Sequence, residues 1–88
     1  MKINHAIQCL ASAILNLRIN HTPKQGAFAQ AADIEPSHYS KAERGIFDMQ
    51  MSTYFKICRA LRLPPWVVMQ MAIEPFLDFT EKDDTLWK

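Results

Sequence analysis

The segment KQGAFAQAADIEPSHYSKAERG, residues 24–45, constrains the fold more than any other part of this chain. It holds two short apolar patterns of helical spacing, one on each side of Asp33-Ile34-Glu35. The residue before a proline avoids the helical conformation, so the first helix ends by about Ala32, and Pro36 suits the first position of the second. The second helix ends near Arg44, where the following glycine permits a left-handed exit. The segment therefore predicts two helices joined by a tight turn.

The residues before this segment predict a helix over about 4–19. Its apolar residues alternate spacings of four and three, which places them along one stripe of a helix: Ile3, Ile7, Leu10, Ile14 and Leu17. Thr22-Pro23-Lys24-Gln25 then has the order of a capping box, with threonine as N-cap, proline at the first helical position and glutamine three residues after the cap. Helix two is expected to begin there.

The residues after the segment predict two more helices. Ser52 is a suitable N-cap for the fourth helix, whose expected buried face consists of Phe55, Ile57, Cys58, Ala60 and Leu61. Pro64 and Pro65 start a fifth, strongly apolar helix that continues to Ile73 and is ended by Pro75. Five short helices without strand-like alternation predict an all-α orthogonal bundle.

Two helices joined by a tight turn form a helix-turn-helix. A small residue is needed where the helices cross, and Ala29 provides it. Asp33 lies where the turn needs a left-handed residue, which aspartate tolerates. The side chains expected in the shared core are Phe28, Ile34, Tyr39 and Ala42.

Length and composition fit one small domain with a single core. The chain has 88 residues, of which 49% are hydrophobic. Its longest apolar run, Pro64 to Met69, is far too short to span a bilayer, and its first residues read poorly as a signal peptide, so we expect a cytoplasmic protein. Cys9 and Cys58 lack the close spacing of zinc ligands or redox pairs, so both are expected to be buried free thiols.

Charge is unevenly distributed along the chain, although the net formal charge is only +1. Through Ile73, eight basic residues face four acidic ones, which gives +4; from Glu74 onward, two lysines face five acids, which gives −3. We therefore expect a basic helix-turn-helix domain, residues 1–73, and an acidic, aromatic tail, residues 74–88. The tail either contributes to a dimer or packs back onto its own core.

In this context the residues resemble a known family. The match in order and spacing consists of Gln25, Phe28-Ala29, Ile34, Glu43-Arg44-Gly45 and the later Ala60-Leu61. These residues resemble the phage Cro and CI-type repressors, the XRE family of helix-turn-helix regulators. The resemblance covers about Leu10 to Met71 and implies a five-helix bundle of the lambda-repressor-like type that binds double-stranded DNA.

The resemblance also implies roles for individual residues. Arg18 and Glu43 occupy the places where family members bury a salt bridge; as solvated surface charges they would add little stability. Gln25 is expected to donate to a DNA phosphate, as side-chain amides and helix N-termini do, and its other role is the capping box. Further phosphate contacts are expected from Lys24, Arg44 and His38. The basic residues of helix four either join them or form a solvated face: Lys56, Arg59 and Arg62.

Base contacts carried over from the family fall on Pro36, Ser37, Ser40 and Lys41. Lys41 is the best candidate to read a guanine O6/N7 edge. Ser37 can accept or donate a hydrogen bond, Ser40 contacts a base or the backbone, and Pro36 can only touch a thymine methyl group. Relatives usually have glycine where Arg62 stands, so the exit of helix four is expected to differ here.

Glu35 departs from the neutral residue that the family usually places before the recognition helix. A carboxylate at a helix N-terminus favours the helix through its dipole, but it repels nearby phosphates. Glu35 therefore lowers non-specific affinity, accepts a hydrogen bond from a cytosine N4, or marks a fold that has given up DNA binding.

The leading function is a sequence-specific DNA-binding transcriptional regulator that inserts helix 36–44 into the major groove. One recognition helix reads only a few base pairs, so we expect a homodimer through Trp66 to Ile73 and the tail. No catalytic set, phosphate loop or metal-spaced ligand group is visible in the sequence, so we expect no enzyme, no cofactor and no small-molecule substrate. The alternative is a protein-interaction module on the same fold, antitoxin-like or a co-regulator, which Glu35 and the near-neutral charge favour.

Overall fold

The structure, a computed structural model, describes residues 2–46 and 48–76. Over these residues it contains five α-helices followed by a short 3-10 helix, Glu74–Phe76: α1 (Ile3–His21), α2 (Gln25–Ala31), α3 (Pro36–Arg44), α4 (Met51–Leu61) and α5 (Pro65–Ile73). No strand occurs in the described part, so the predicted all-α five-helix bundle is confirmed. Within the same residues, no helix has both the length and the apolarity needed to cross a bilayer.

Most of the predicted acidic tail, residues 77–88, lies outside the described residues. Its role as a dimer contact or a packed extension therefore stays a prediction, and so does the division of the chain at Ile73.

Helix α1 packs against each of the other four α-helices. Its buried residues are Cys9, Ala11, Ile14 and Arg18. The predicted stripe is only partly right, because Ile14 is fully buried but Ile3 is 50% exposed. The buried face is shifted because α5 covers the side of Cys9, and the exit of α3 approaches Ala11.

One apolar cluster joins the helices. The largest fully buried side chains are Tyr39, Phe28, Ile14, Ile57, Val68 and Cys58. The ring centroids of Phe28 and Tyr39 lie 5.2 Å apart, so α2 and α3 share this core as predicted. Burying a side chain of this size stabilises the fold by about 1.5–3 kcal/mol. Cys9 and Cys58 are free and buried, and burial raises the pKa of the Cys58 thiol.

Both predicted N-terminal caps are wrong. The residue before α2 is Lys24 rather than Thr22, and the residue before α4 is Gln50 rather than Ser52; neither uses its side chain as a cap. Thr22 instead follows α1, where its N–H donates to the carbonyl of Arg18 at 2.6 Å. Helix α4 begins before Ser52 because the Gln50 carbonyl already accepts from a backbone N–H in its first turn.

Helix α4 also turns a different face inward from the predicted one. Its buried residues are Thr53, Tyr54, Ile57, Cys58 and Leu61. Phe55 is 49% exposed, because it lies about 100° around the helix from Tyr54. The Tyr54 hydroxyl donates to the Pro65 carbonyl at 2.6 Å, which ties α4 to the start of α5.

Left-handed backbone conformations occur at Asp33 (φ 60), Gly45 (φ 66) and Arg62 (φ 59). The first two were expected from the turn and from the end of α3. At the exit of α4, Arg62 adopts the left-handed conformation that glycine favours. A non-glycine residue pays about 1–2 kcal/mol for this conformation.

Candidate nucleic-acid interface

The turn between α2 and α3 is held by backbone hydrogen bonds. The N–H of Ile34 donates to the carbonyl of Ala29 at 2.9 Å, and the N–H of Asp33 donates to that of Gln30 at 3.1 Å. Ala29 is completely buried where the helices cross, as the sequence predicted, and Ile34 is also buried. The absence of a larger side chain at Ala29 allows this close approach, which sets α3 against α2.

A buried ion cluster, formed by Arg18, Glu43 and Gln25, fixes the far end of α3. Arg18 donates from Nε to Glu43 Oε2 at 2.8 Å and from Nη2 to Glu43 Oε1 at 3.0 Å. Its Nη1 donates to the carbonyls of Thr22 and Pro23 at 3.3 and 2.5 Å. The cluster confirms the predicted salt bridge and joins the end of α1, the α1–α2 connection and the last turn of α3.

The charges in this cluster stabilise each other. Burial alone raises the pKa of Glu43, but the hydrogen bonds from Arg18, the proximity of the Tyr39 hydroxyl and the hydrogen bond from Gln25 hold that pKa below its ordinary value. The hydrogen bond to Glu43 raises the pKa of Arg18. Both groups are therefore charged at neutral pH. A buried pair of this kind is strongly destabilised when one partner is removed.

The Tyr39 hydroxyl is buried beside the ion cluster. Within the described residues it meets no partner with hydrogen-bond geometry. Burial first, and the nearby Glu43 carboxylate second, raise the pKa of Tyr39. The hydroxyl is therefore neutral, and the ring serves the core between α2 and α3.

The side chain of Gln25 has a different partner from the predicted one. Its Nε2 donates to Glu43 Oε1 at 2.9 Å, so the expected capping box with Thr22 is absent. The Arg18 guanidinium binds the carbonyls of Thr22 and Pro23. These two residues therefore belong to the α1–α2 connection, and α2 begins at Gln25. For a phosphate, Gln25 retains its backbone N–H in the first turn of α2 and the second proton of its amide.

Glu35 is the N-cap of α3. Its Oε2 accepts from the backbone N–H of His38 at 3.1 Å and from the Ser37 hydroxyl. The Ser37 hydroxyl, followed by the backbone N–H groups of His38 and Ser37, lowers the pKa of the Glu35 carboxyl. The sequence indicated an unusual acid here but not this capping geometry, which the pattern Glu-Pro-Ser-His could have suggested since side-chain acceptors are common at helix N-termini.

The outward surface of α3 carries the residues that the resemblance assigned to DNA. Those exposed are Pro36, Ser37, His38, Lys41 and Arg44, and Ser40 is half-buried. Tyr39, Ala42 and Glu43 form the buried face. The structure therefore brings the predicted base contacts together on one short helix and leaves them accessible.

The remaining predicted basic contacts differ in their surroundings. Lys24 is exposed immediately before α2. Lys56 donates from Nζ to the carbonyl of Asp33 at 3.2 Å, so it braces the turn of the helix-turn-helix. Sequence reasoning missed this contact because the two residues are distant in sequence and each carries an ordinary surface charge. Arg59 and Arg62 are exposed.

No group of three histidine, cysteine, aspartate or glutamate side chains in the described part of the chain could hold a metal ion.

Comparison with known proteins supports the fold. No protein-family model and no curated protein matches the sequence. Among solved structures, the chain is similar to the clp gene regulator ClgR from C. glutamicum, with a TM-score of 0.72 and 21% sequence identity. The match covers 82% of this chain and 94% of that one. At this identity the likeness shows a shared fold, and function has to be argued from the site.

Proposed function

We propose that this protein is a sequence-specific DNA-binding transcriptional regulator that inserts α3 into the major groove and acts as a cytoplasmic homodimer. The observation that carries the proposal is the outward surface of α3. A short helix with an exposed lysine and an exposed serine is fixed at one end by the buried ion cluster and at the other by the tight turn. The arrangement has the parts of a helix-turn-helix, whose second helix reads base edges.

Electrostatics support a nucleic-acid partner. The chain through Ile73 carries eight basic and four acidic residues, a formal charge of +4. Lys24, Lys41 and Arg44 are exposed on or beside α2 and α3, where phosphates flank a helix lying in the groove. The structural neighbour is itself named a gene regulator, which agrees with this function.

Within the proposed complex, the base contacts divide by chemistry. Lys41 donates to a guanine O6/N7 edge. The Ser37 hydroxyl proton is already donated to Glu35, so the Ser37 oxygen is available as an acceptor. Pro36 offers only apolar contact with a thymine methyl group, and Ser40 is half-buried and contacts the edge of the site.

The proposed homodimer uses an apolar groove of about 770 Å³ between the start of α1, the start of α4 and α5. Its apolar lining includes Ile3, Ile7, Met51, Trp66, Met69 and Ile73. Trp66 is 71% exposed, and exposed apolar surface of this kind marks interaction sites. The proposed occupant is a second copy of the chain, because two half-sites one helical turn apart supply the specificity that one short helix lacks.

The function is tested by measuring duplex binding of the full chain by fluorescence anisotropy at increasing salt, using duplexes selected from a random pool. Binding displaces cations that are condensed on the DNA, and their release is less favourable when the salt concentration is high. Affinity should therefore fall steeply as salt increases. Lys41→Ala should reduce discrimination between selected and unselected duplexes by about tenfold or more, whereas Lys24→Ala should weaken all duplexes alike and reduce the salt slope by about one.

Lys2→Ala is the matched control for these variants. It removes the same charge but lies about 24 Å along α1 from Arg18, at the end of the helix away from the ion cluster. Lys2→Ala should leave duplex binding unchanged. A wild-type protein that binds no duplex at low salt would overturn the proposal.

The second candidate function is a protein-interaction module on the same fold. It is favoured by the exposed carboxylate of Glu35 beside the proposed DNA surface and by the apolar groove. The salt titration separates the two candidates. Only a DNA-binding regulator should bind duplexes at low salt and lose discrimination between them in the Lys41→Ala variant.

A further inference from the structure

Glu35 is held in place at the tip of α3 by one of its two carboxylate oxygens. Both the Ser37 hydroxyl and the His38 N–H donate to Oε2, so Oε1 takes part in neither hydrogen bond. The residue is exposed and directly precedes the helix that carries the proposed base contacts. The capping bonds restrict the side chain, so the second oxygen is presented in a limited range of directions.

An ionised carboxylate is a hydrogen-bond acceptor and has no proton to donate. In the major groove, guanine offers the acceptors N7 and O6, and thymine offers the acceptor O4 together with a methyl group. Amino donors are offered by cytosine at N4 and by adenine at N6. A fixed carboxylate oxygen therefore disfavours guanine and thymine at the base it faces.

Cytosine suits this oxygen better than adenine does. Beside its amino group, adenine carries the N7 acceptor on the same groove edge, and the lone pair of N7 repels a carboxylate. Cytosine has only a C–H group in the corresponding direction. The carboxylate oxygen requires a donor, which cytosine and adenine both offer. Its negative charge then favours cytosine over adenine.

We propose that Glu35 is a specificity determinant, whose Oε1 accepts a hydrogen bond from the N4 amino group of one cytosine in each half-site. This inference rests on the proposed function and deepens it. The side chains of Glu35 and Ser37 then both act as acceptors at the N-terminal end of α3, because the Ser37 hydroxyl proton is donated to Glu35. Lys41, further along the same helix, supplies the donor that reads guanine.

The same carboxylate also repels phosphates, which lowers affinity for all duplexes alike. Repulsion therefore changes affinity without changing the preferred base, whereas a hydrogen bond to cytosine changes the preferred base. The identity of the selected base is the readout that separates a specificity determinant from a helix cap.

The decisive variant is Glu35→Gln, which keeps the size of the side chain and can keep the cap. Because the cap accepts from an N–H and an O–H, the amide oxygen must take the place of Oε2. The amide nitrogen, a donor, then takes the place of Oε1. The free atom changes from acceptor to donor while the geometry is conserved.

The experiment compares full-length wild type, Glu35→Gln and Glu35→Ser by selecting bound fragments from random duplexes. Wild type should require cytosine at one position per half-site, with replacement of that cytosine weakening binding by about tenfold or more. Glu35→Gln should replace the cytosine with guanine or thymine, which offer acceptors. Glu35→Ser, which retains a capping oxygen but loses reach, should show no preference there.

Thermal unfolding of the three proteins checks that all are folded. If wild type selects a site and both variants select the same bases at every position, Glu35 only caps the helix and the inference is overturned while the proposed function stands. If wild type selects no duplex, the proposed function itself fails.

Discussion

Helices α3 and α5 begin in the same way but expose surfaces of opposite chemical character. Each has nine residues and carries proline at its first position. The outward face of α3 presents lysine, serine and arginine, whereas that of α5 presents Trp66, Met69 and Met71, which are 71%, 39% and 50% exposed. The shared start sets where a helix begins, but the residues that follow decide which kind of partner its free surface can bind.

The two helices are also held by different forces. Helix α3 is capped by the Glu35 side chain and anchored by the buried charge of Glu43. Helix α5 has no side-chain cap and is held by the buried Val68, Ala72 and Ile73, with the Tyr54 hydroxyl bound at its start. Helix α3 thus adds a directional polar anchor to its apolar packing, whereas α5 depends mainly on packing.

The largest effect is expected from removing the polar anchor of α3. Glu43→Ala leaves the Arg18 guanidinium buried without its partner, which should lower the free energy of unfolding by about 3–5 kcal/mol. Chemical denaturation monitored by circular dichroism measures this loss. Asp48→Ala, which removes an exposed acid, is the control and should change the stability of the monomer by less than about 0.5 kcal/mol. Equal effects of the two substitutions would show that the cluster is not an anchor.

The pH dependence of stability gives a second view of the same anchor. The pKa of Glu43 lies below its ordinary value of 4.5 in the folded protein. Its contribution should therefore be fully present above that value and be lost as pH falls through the lower, folded-state pKa. Glu43→Gln should flatten this part of the stability profile, and an unchanged profile would assign the acid sensitivity to other carboxyls.

A smaller effect on stability is expected at the left-handed residues that follow α3 and α4, which are Gly45 and Arg62. A Cβ at Gly45, which ends α3, would lie 3.2 Å from the Cβ of Ala11. Gly45→Ala should thus destabilise the protein by about 1–3 kcal/mol. Arg62→Gly, at the exit of α4, relieves the same backbone strain and should stabilise by about 0.5–1 kcal/mol. Thermal unfolding of both variants tests these two predictions. A change in the free energy of unfolding of the same sign for both variants would contradict them.

The smallest effect on stability is expected at Trp66, on the apolar face of α5. Trp66→Ser should change the free energy of unfolding of the monomer by less than about 0.5 kcal/mol, since the side chain is mostly exposed. It should nevertheless convert a homodimer to a monomer, as measured by sedimentation equilibrium. Ile46→Ser, at an exposed isoleucine outside the groove, is the control. A wild-type chain that is already monomeric at concentrations that saturate DNA would contradict the proposed dimer.

Sequence reasoning succeeded where one residue type has few alternatives. Asp33 and Gly45 were predicted from backbone conformations that most residues avoid, and both take them. Tyr39 and Ala42 were placed inward from helical spacing, and both are completely buried. The salt bridge from Arg18 came from the family resemblance, because no local signal joins residues so far apart in sequence.

Sequence reasoning failed where a distant contact overrode a local signal. Thr22 has the right neighbours for a cap, but the Arg18 guanidinium binds its carbonyl and α2 starts later. Phe55 is the more hydrophobic neighbour of Tyr54, yet the packing of α4 turns Tyr54 inward and binds its hydroxyl. The pattern around Glu35 is compatible with a cap, but only the folded geometry specifies that both neighbouring donors reach the same carboxylate oxygen.

The claim that the outward surface of α3 is the functional one is tested most directly by isotope-filtered nuclear Overhauser spectroscopy of the protein bound to a selected duplex. If α3 is the functional surface, contacts are expected between major-groove base protons and the side chains of Lys41 and Ser37. Contacts from Trp66 and Met69 to the duplex, with α3 making none, would contradict it.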